Sequence, residues 1–180
     1  EKINLKSDGS GSYAFEMDVS QMLTMMESMD QTQADSLRDV YSELANEENE
    51  FAKIPGVSNA KNTFDRTASV YATAFDFSNT TTLHNAWKNG NSAVNSLGET
   101  KPSKGFKTLT VSKKTYTLKL DLKELRSGFE ETSQEEIDMA KTMMENSNYS
   151  IEMHSDRPVS SFKGLNLARG TDDKTVIFTL

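Results

Sequence analysis

The chain has 180 residues, with 27 acidic against 20 basic side chains, a net charge of −7 and no cysteine. That length suits one domain with its own core, so a single body spanning residues 1–180 is expected. The absence of thiols excludes disulfides, thiolate metal centres and cysteine nucleophiles, and the acidic balance leaves no broad positive field to gather a nucleic acid.

Ile3 and Leu5 begin an apolar alternation, "DGSG" from Asp8 supplies turn glycines, and Tyr13, Phe15 and Met17 resume the alternation on one face. This pattern predicts a β-hairpin. After Asp18 the spacing changes to three and four at Val19, Met22, Leu23, Met26 and Met29, the helical period. Leu37, Val40, Tyr41 and Leu44 predict a second helix, with Asp35 near its start and "IPG" at Ile54 stopping it. Thr63 to Phe77 reads as a strand with Tyr71, Thr73, Phe75 and Phe77 on one side, followed by a short helix over Thr80 to Lys88. Asn89 to Gly105 is polar and carries Pro102, the composition of a surface loop.

"FKTLTVSKKTYTLKLDL" predicts a second hairpin, and a brief helix to about Phe129 follows. Ser133 with Glu136 has capping-box spacing ahead of an apolar face made by Ile137, Ala140, Met143 and Met144. Strands are expected at Tyr149 to Met153, Val159 to Leu167 and Thr175 to Leu180. The fold class that results is α+β: a curved antiparallel sheet of about six or seven strands, with helices packed on one face. Tyr13, Phe15, Tyr116, Leu118, Leu120, Ile151 and Phe178 should be buried, with Lys119, Asp121, Glu152 and His154 on the wet side.

The join from strand to helix recurs in "YAFEMDV" and "YTLKLDL", and more loosely in "YATAFDF", each placing an aspartate five residues after a tyrosine. Asp18 and Asp121 can then accept from free amides at helix starts. The rival reading gathers Asp18, Asp76 and Asp121 into a carboxylate-dependent hydrolytic site. It ranks below capping, because no histidine sits at a fixed offset from any of them. His84 and His154 lack carboxylates at metal-ligand spacing, so no metal and no cofactor is expected. The methionine clusters raise one further reading, an apolar ligand held by Met22, Met26, Met29, Met143, Met144 and Trp87; a methionine stripe at helical spacing is more often core.

No apolar run approaches the roughly 18 residues that cross a bilayer. The opening at Glu1, almost inside a strand pattern, fits a mature form trimmed of its targeting segment and fits an excised domain equally well.

The N-terminal "INLKSDGSGSYAFEMDVSQML" and C-terminal "YSIEMHSDRPVSSFKGLNLARGTDDKTVIFTL" together resemble bacterial cell-envelope lipoproteins without an assigned activity. The second segment is similar to the LppM-type lipoprotein domain at Arg157 to Val159, Asn166 and Asp172 to Val176. The middle of the chain carries no such likeness. The resemblance implies an exported protein in the periplasm or on the outer surface, tethered to a membrane by lipid on a cysteine just before Glu1. Its implied role is binding or scaffolding without catalysis, and the alternative is a carrier whose methionine-lined cavity lies between helices and sheet.

Overall fold

The computed structural model describes residues 1–89, 107–112, 115–120, 150–164 and 166–179. The predicted helices near Phe129 and from Ser133, and with them Asp121, Met143 and Met144, lie outside these residues, as does most of the predicted loop after Asn89. The side chains of Asn89, Lys107 and Leu120 are likewise not described.

The fold is α+β. Its elements in chain order are β1 (Lys2–Leu5), β2 (Gly11–Asp18), α1 (Ser20–Met29), α2 (Gln31–Asn46), a 3-10 turn (Glu50–Lys53), β3 (Val57–Asp65), β4 (Val70–Phe77), α3 (Thr80–Asn89), β5 (Lys107–Val111), β6 (Tyr116–Leu120), β7 (Ser150–Ser155), β8 (Leu167–Arg169) and β9 (Thr175–Thr179). Seven strands form an open, curved sheet in the order β3-β4-β2-β1-β7-β9-β8, and β5 pairs with β6 in a separate hairpin. Neighbours in the large sheet run antiparallel except β1 and β7, which are parallel and aligned Ile3 to Met153. A parallel pair needs a long crossover, and here the whole middle of the chain supplies it.

Alternation decides which face is buried. Across β2 and β4, Tyr13 lies opposite Phe75, Phe15 opposite Thr73 and Met17 opposite Tyr71, so these side chains share one face. That face carries two apolar clusters. The larger joins Ile3, Leu5, Tyr13, Phe75, Phe77 and Ile151 to Phe51, to Leu83 and Ala86 of α3, and to Leu109 of the hairpin. The smaller sets Val19, Leu23, Ala34 and Tyr41 of the α1–α2 pair against Tyr71. Tyr13 and Ile151 are buried as expected, while Phe15, Tyr116, Leu118 and Phe178 pack half-buried at the edge of the larger cluster.

Local chemistry sets the joins. In the β1–β2 turn the Gly9 amide donates to the Lys6 carbonyl at 2.9 Å, and Gly9 holds φ +87°, a conformation that glycine adopts without a Cβ penalty. Asp18 Oδ1 accepts from the Ser20 amide at 2.9 Å, as the capping reading predicts, although the helix-boundary residue itself is Val19. The second helix begins earlier than its apolar pattern indicates. Asp30 ends α1 through its own amide and caps α2 by accepting from the Thr32 amide at 2.9 Å. Asp35, expected at that start, instead pairs with Arg38 at 2.9 Å, and Arg38 also reaches Glu27 across to α1.

Two strand predictions change. The segment from Thr63 to Phe77 is not one strand but the end of β3, a turn at residues 66–69 and the whole of β4; at the turn Asp65 Oδ1 accepts from the amides of Thr67 and Ala68, each at 2.9 Å. Aspartate performs there the turn chemistry that glycine performs elsewhere. Among the described residues of Val159 to Leu167 only Leu167 is in a strand. The stretch before it is held by the Val159 amide on the Asp173 carbonyl at 2.7 Å and by Arg169 Nη2 on the Val159 carbonyl at 2.9 Å.

Candidate functional site

The densest polar arrangement among the described residues lies on the sheet face opposite the core, where β7 meets β9. Glu152 and His154, two apart on one strand, point to the same side. Glu152 Oε1 is 2.7 Å from His154 Nε2, and His154 Nδ1 is 2.8 Å from Thr175 Oγ1, because the register sets His154 opposite Thr175. The Thr175 hydroxyl donates to Asp172 Oδ1 at 2.6 Å, and that oxygen also accepts from the Lys174 amide at 2.9 Å. These bonds hold the Asp172 carboxyl below the usual carboxylate range, the hydroxyl contributing most. Lys2 Nζ closes the far end, 3.9 Å from Glu152.

Hydroxyl, imidazole and carboxylate in line resemble a nucleophile, base and orienting acid. Accessibility decides against that role. Thr175 is 1% exposed, its proton is committed to Asp172, and Gly170 leans so close that a Cβ there would sit 2.5 Å from Thr175 Cγ2. The chain of bonds therefore works as a clasp, tying the β8–β9 turn to β7. The Glu152–His154 pair is one that a search for metal-ligand spacing passes over; the spacing of two on a strand is the signal that places them together.

Of the carboxylates in the rival hydrolytic reading, Asp121 lies outside the described residues, and Asp18 and Asp76 are not brought together. Asp18 lies opposite Val70, while Asp76 lies opposite Ser12 at the other end of the same strand pair. Six residues of strand, about 20 Å, separate the two levels. Asp76 Oδ2 accepts from Asn59 Nδ2 at 2.7 Å across the irregular stretch of the β3–β4 pair, while Asp18 serves the start of α1. Among the described residues no group of three or more His, Asp or Glu side chains is disposed to hold a metal ion.

The proposed apolar-ligand residues fall in two places. Met22 and Met26 pack half-buried against the α1–α2 cluster, and Met29 projects from the end of α1 at 81% exposed. Trp87 sits in the other cluster, edge-on to Tyr13 with ring centroids 6.1 Å apart.

Two contacts fasten the β5–β6 hairpin. At one end His84 Nε2 accepts from the Leu109 amide at 2.7 Å. At the other, Ser155 Oγ donates to the Tyr116 hydroxyl at 3.3 Å, which lies 3.4 Å from Asp156 Oδ1. Asp156 also accepts from the Ser7 amide at 2.9 Å, the chief cause of its lowered pKa.

Comparison with protein-family models, with curated proteins and with solved structures gives no match.

Proposed function

We propose that this chain is the globular body of an exported bacterial envelope lipoprotein, anchored by a lipid attached ahead of Glu1, that binds or scaffolds without catalysing a reaction. The observation that carries the reading is the meeting of the two ends. The segments with lipoprotein likeness are remote in sequence, yet β1 and β7 lie side by side, with the Glu1 backbone nitrogen donating to the Ser150 carbonyl at 2.7 Å. The segments thus form one continuous structural unit, β2-β1-β7-β9. A second support is that Asp18, Asp76, Asp172 and Thr175 spend their hydrogen-bonding capacity on turns, helix starts and strand pairing.

A fatty-acid labelling experiment on the full-length precursor tests the anchor. An alkynyl palmitate should be incorporated, the protein should sediment with membranes, and replacing the cysteine before Glu1 by serine should abolish both. A precursor lacking such a cysteine, or one that stays unlabelled in the soluble fraction, overturns the proposal. A second reading, carriage of an apolar ligand, rests on the exposed Met25 and Met29 beside half-buried Met22 and Met26. It requires a lipid to co-purify with the protein under native mass spectrometry, and ligand-free protein from several lipid-rich hosts would reject it.

A further inference from the structure

We infer that His84 is an acid-sensitive latch: its neutral ring holds the outer edge of the β5–β6 hairpin against α3, and a second proton on the ring breaks that hold. The argument begins with the ladder. Ser112 and Thr115 exchange backbone hydrogen bonds at 2.8 and 3.4 Å, which makes them a hydrogen-bonded pair. Such pairs alternate along an antiparallel ribbon, so Thr110 with Thr117 and Thr108 with Lys119 are the next two. Leu109, between them, directs its N–H away from β6 and needs an acceptor from outside the hairpin. His84 Nε2 supplies it.

The nature of that acceptor makes the contact switchable. A carbonyl or carboxamide oxygen keeps accepting at any physiological pH, whereas an imidazole nitrogen accepts through the same lone pair that takes up a proton. With Nε2 accepting, the neutral ring carries its proton on Nδ1. Burial is the main cause that lowers the His84 pKa; the contact with the Leu109 backbone acts the other way, and the cation of Lys88, one turn along α3, lowers it further. From α3 the ring also faces Trp87, at 5.8 Å between centroids, and from β5 it faces the Leu109 backbone. Among the described residues no carboxylate bonds to the ring to balance a second proton. At the far fastening, Tyr116 with Ser155 and Asp156, the Asp156 carboxyl lies below the usual carboxylate value and keeps its charge where an imidazole titrates. Acid therefore frees the edge beside α3 and leaves the other end attached.

Amide hydrogen exchange on the intact chain tests this. With the opened ring taking its ordinary pKa of 6.5, protection of the Leu109 amide, corrected for intrinsic rate, should fall by about tenfold between pH 8 and pH 5.5. The Phe75 amide in the sheet centre, which reports global unfolding, should stay better protected than Leu109 at both pH values. His84→Gln offers an oxygen acceptor that does not titrate, so its Leu109 protection should not depend on pH; His84→Phe should show low protection throughout. Flat Leu109 protection in the wild-type protein, or an equal drop in His84→Gln with Phe75 still protected, overturns the latch. Should either variant fail to fold, nitrogen chemical shifts of the wild-type ring decide: a neutral Nδ1–H tautomer at pH 7.5 supports the latch, and any other form refutes it.

Discussion

Tyr41 puts its hydroxyl where hydroxyls are costly. The side chain is wholly buried, stacked on Phe64 at 5.4 Å and near Tyr71 at 5.9 Å, and the oxygen has no hydrogen-bond partner among the described residues. Burial, with Tyr71 as a lesser cause, pushes its pKa up to about 12. A desolvated, unpaired hydroxyl costs about 1–3 kcal/mol, so Tyr41→Phe should keep or raise stability, by up to about 1 kcal/mol in urea unfolding. A loss of 1 kcal/mol or more would mean that the hydroxyl is bonded. Gly170 presents the opposite case. Adding a methyl there meets Thr175 at 2.5 Å, so Gly170→Ala should cost about 1–3 kcal/mol by urea unfolding and displace the Thr175 hydroxyl from His154, visible as shifted imidazole resonances.

At the scale of elements, the α1–α2 corner depends on one residue. Asp30 closes α1 and opens α2, so Asp30→Ala should cost about 1 kcal/mol in thermal or urea unfolding, while Asp35→Ala, which loses an exposed i,i+3 pair with Arg38 and an exposed 3.3 Å bond from Gln31, should cost far less. Equal losses would refute the assignment of the cap. The same corner shows what could be read from sequence. The helical faces were legible from Val19, Leu23 and Tyr41, because burial imposes the 3.6-residue period. The start of α2 was not, since its first turn, Gln31 to Ala34, is mostly polar and periodicity is silent there. The β3–β4 turn was hidden for a related reason: "DRTAS" carries neither glycine nor proline, and it turns through the reach of Asp65 to two amides and a left-handed Ser69 at φ +54°. The clasp at His154 was half legible. Glu152 and His154 follow from strand alternation, but Thr175 and Asp172 arrive through a register that no local pattern encodes.

For the whole molecule, stability should follow pH in two stages. Above pH 6.5 the neutral His84 makes its full contribution; because its folded pKa is depressed, the unfolded chain binds the proton more readily, and stability falls as pH drops from 6.5 through the folded value. The second stage belongs to Asp8, Asp18, Asp156 and Asp172, each lowered from 3.8 mainly by hydrogen bonds from Ser10, Ser20, Ser7 and Thr175 respectively. Their contribution is present above pH 3.8 and is lost as pH falls through their folded values. Melting temperatures recorded at pH 8, 5.5 and 3 should descend in that order, and a protein equally stable at pH 8 and pH 3 would contradict both assignments.

The parallel seam between β1 and β7 also governs when the molecule can be finished. During synthesis the hairpins β1–β2 and β3–β4 can close early, since their partners are near in sequence, but the far side of β1 waits for residues almost 150 positions later. Until the last strands leave the ribosome, a nascent chain presents Lys2 to Leu5 as a bare pairing edge, the kind of surface that recruits the wrong neighbour. A chain stopped before Ser150 should therefore self-associate on size-exclusion chromatography, and the C-terminal strands act as the seal that covers this edge.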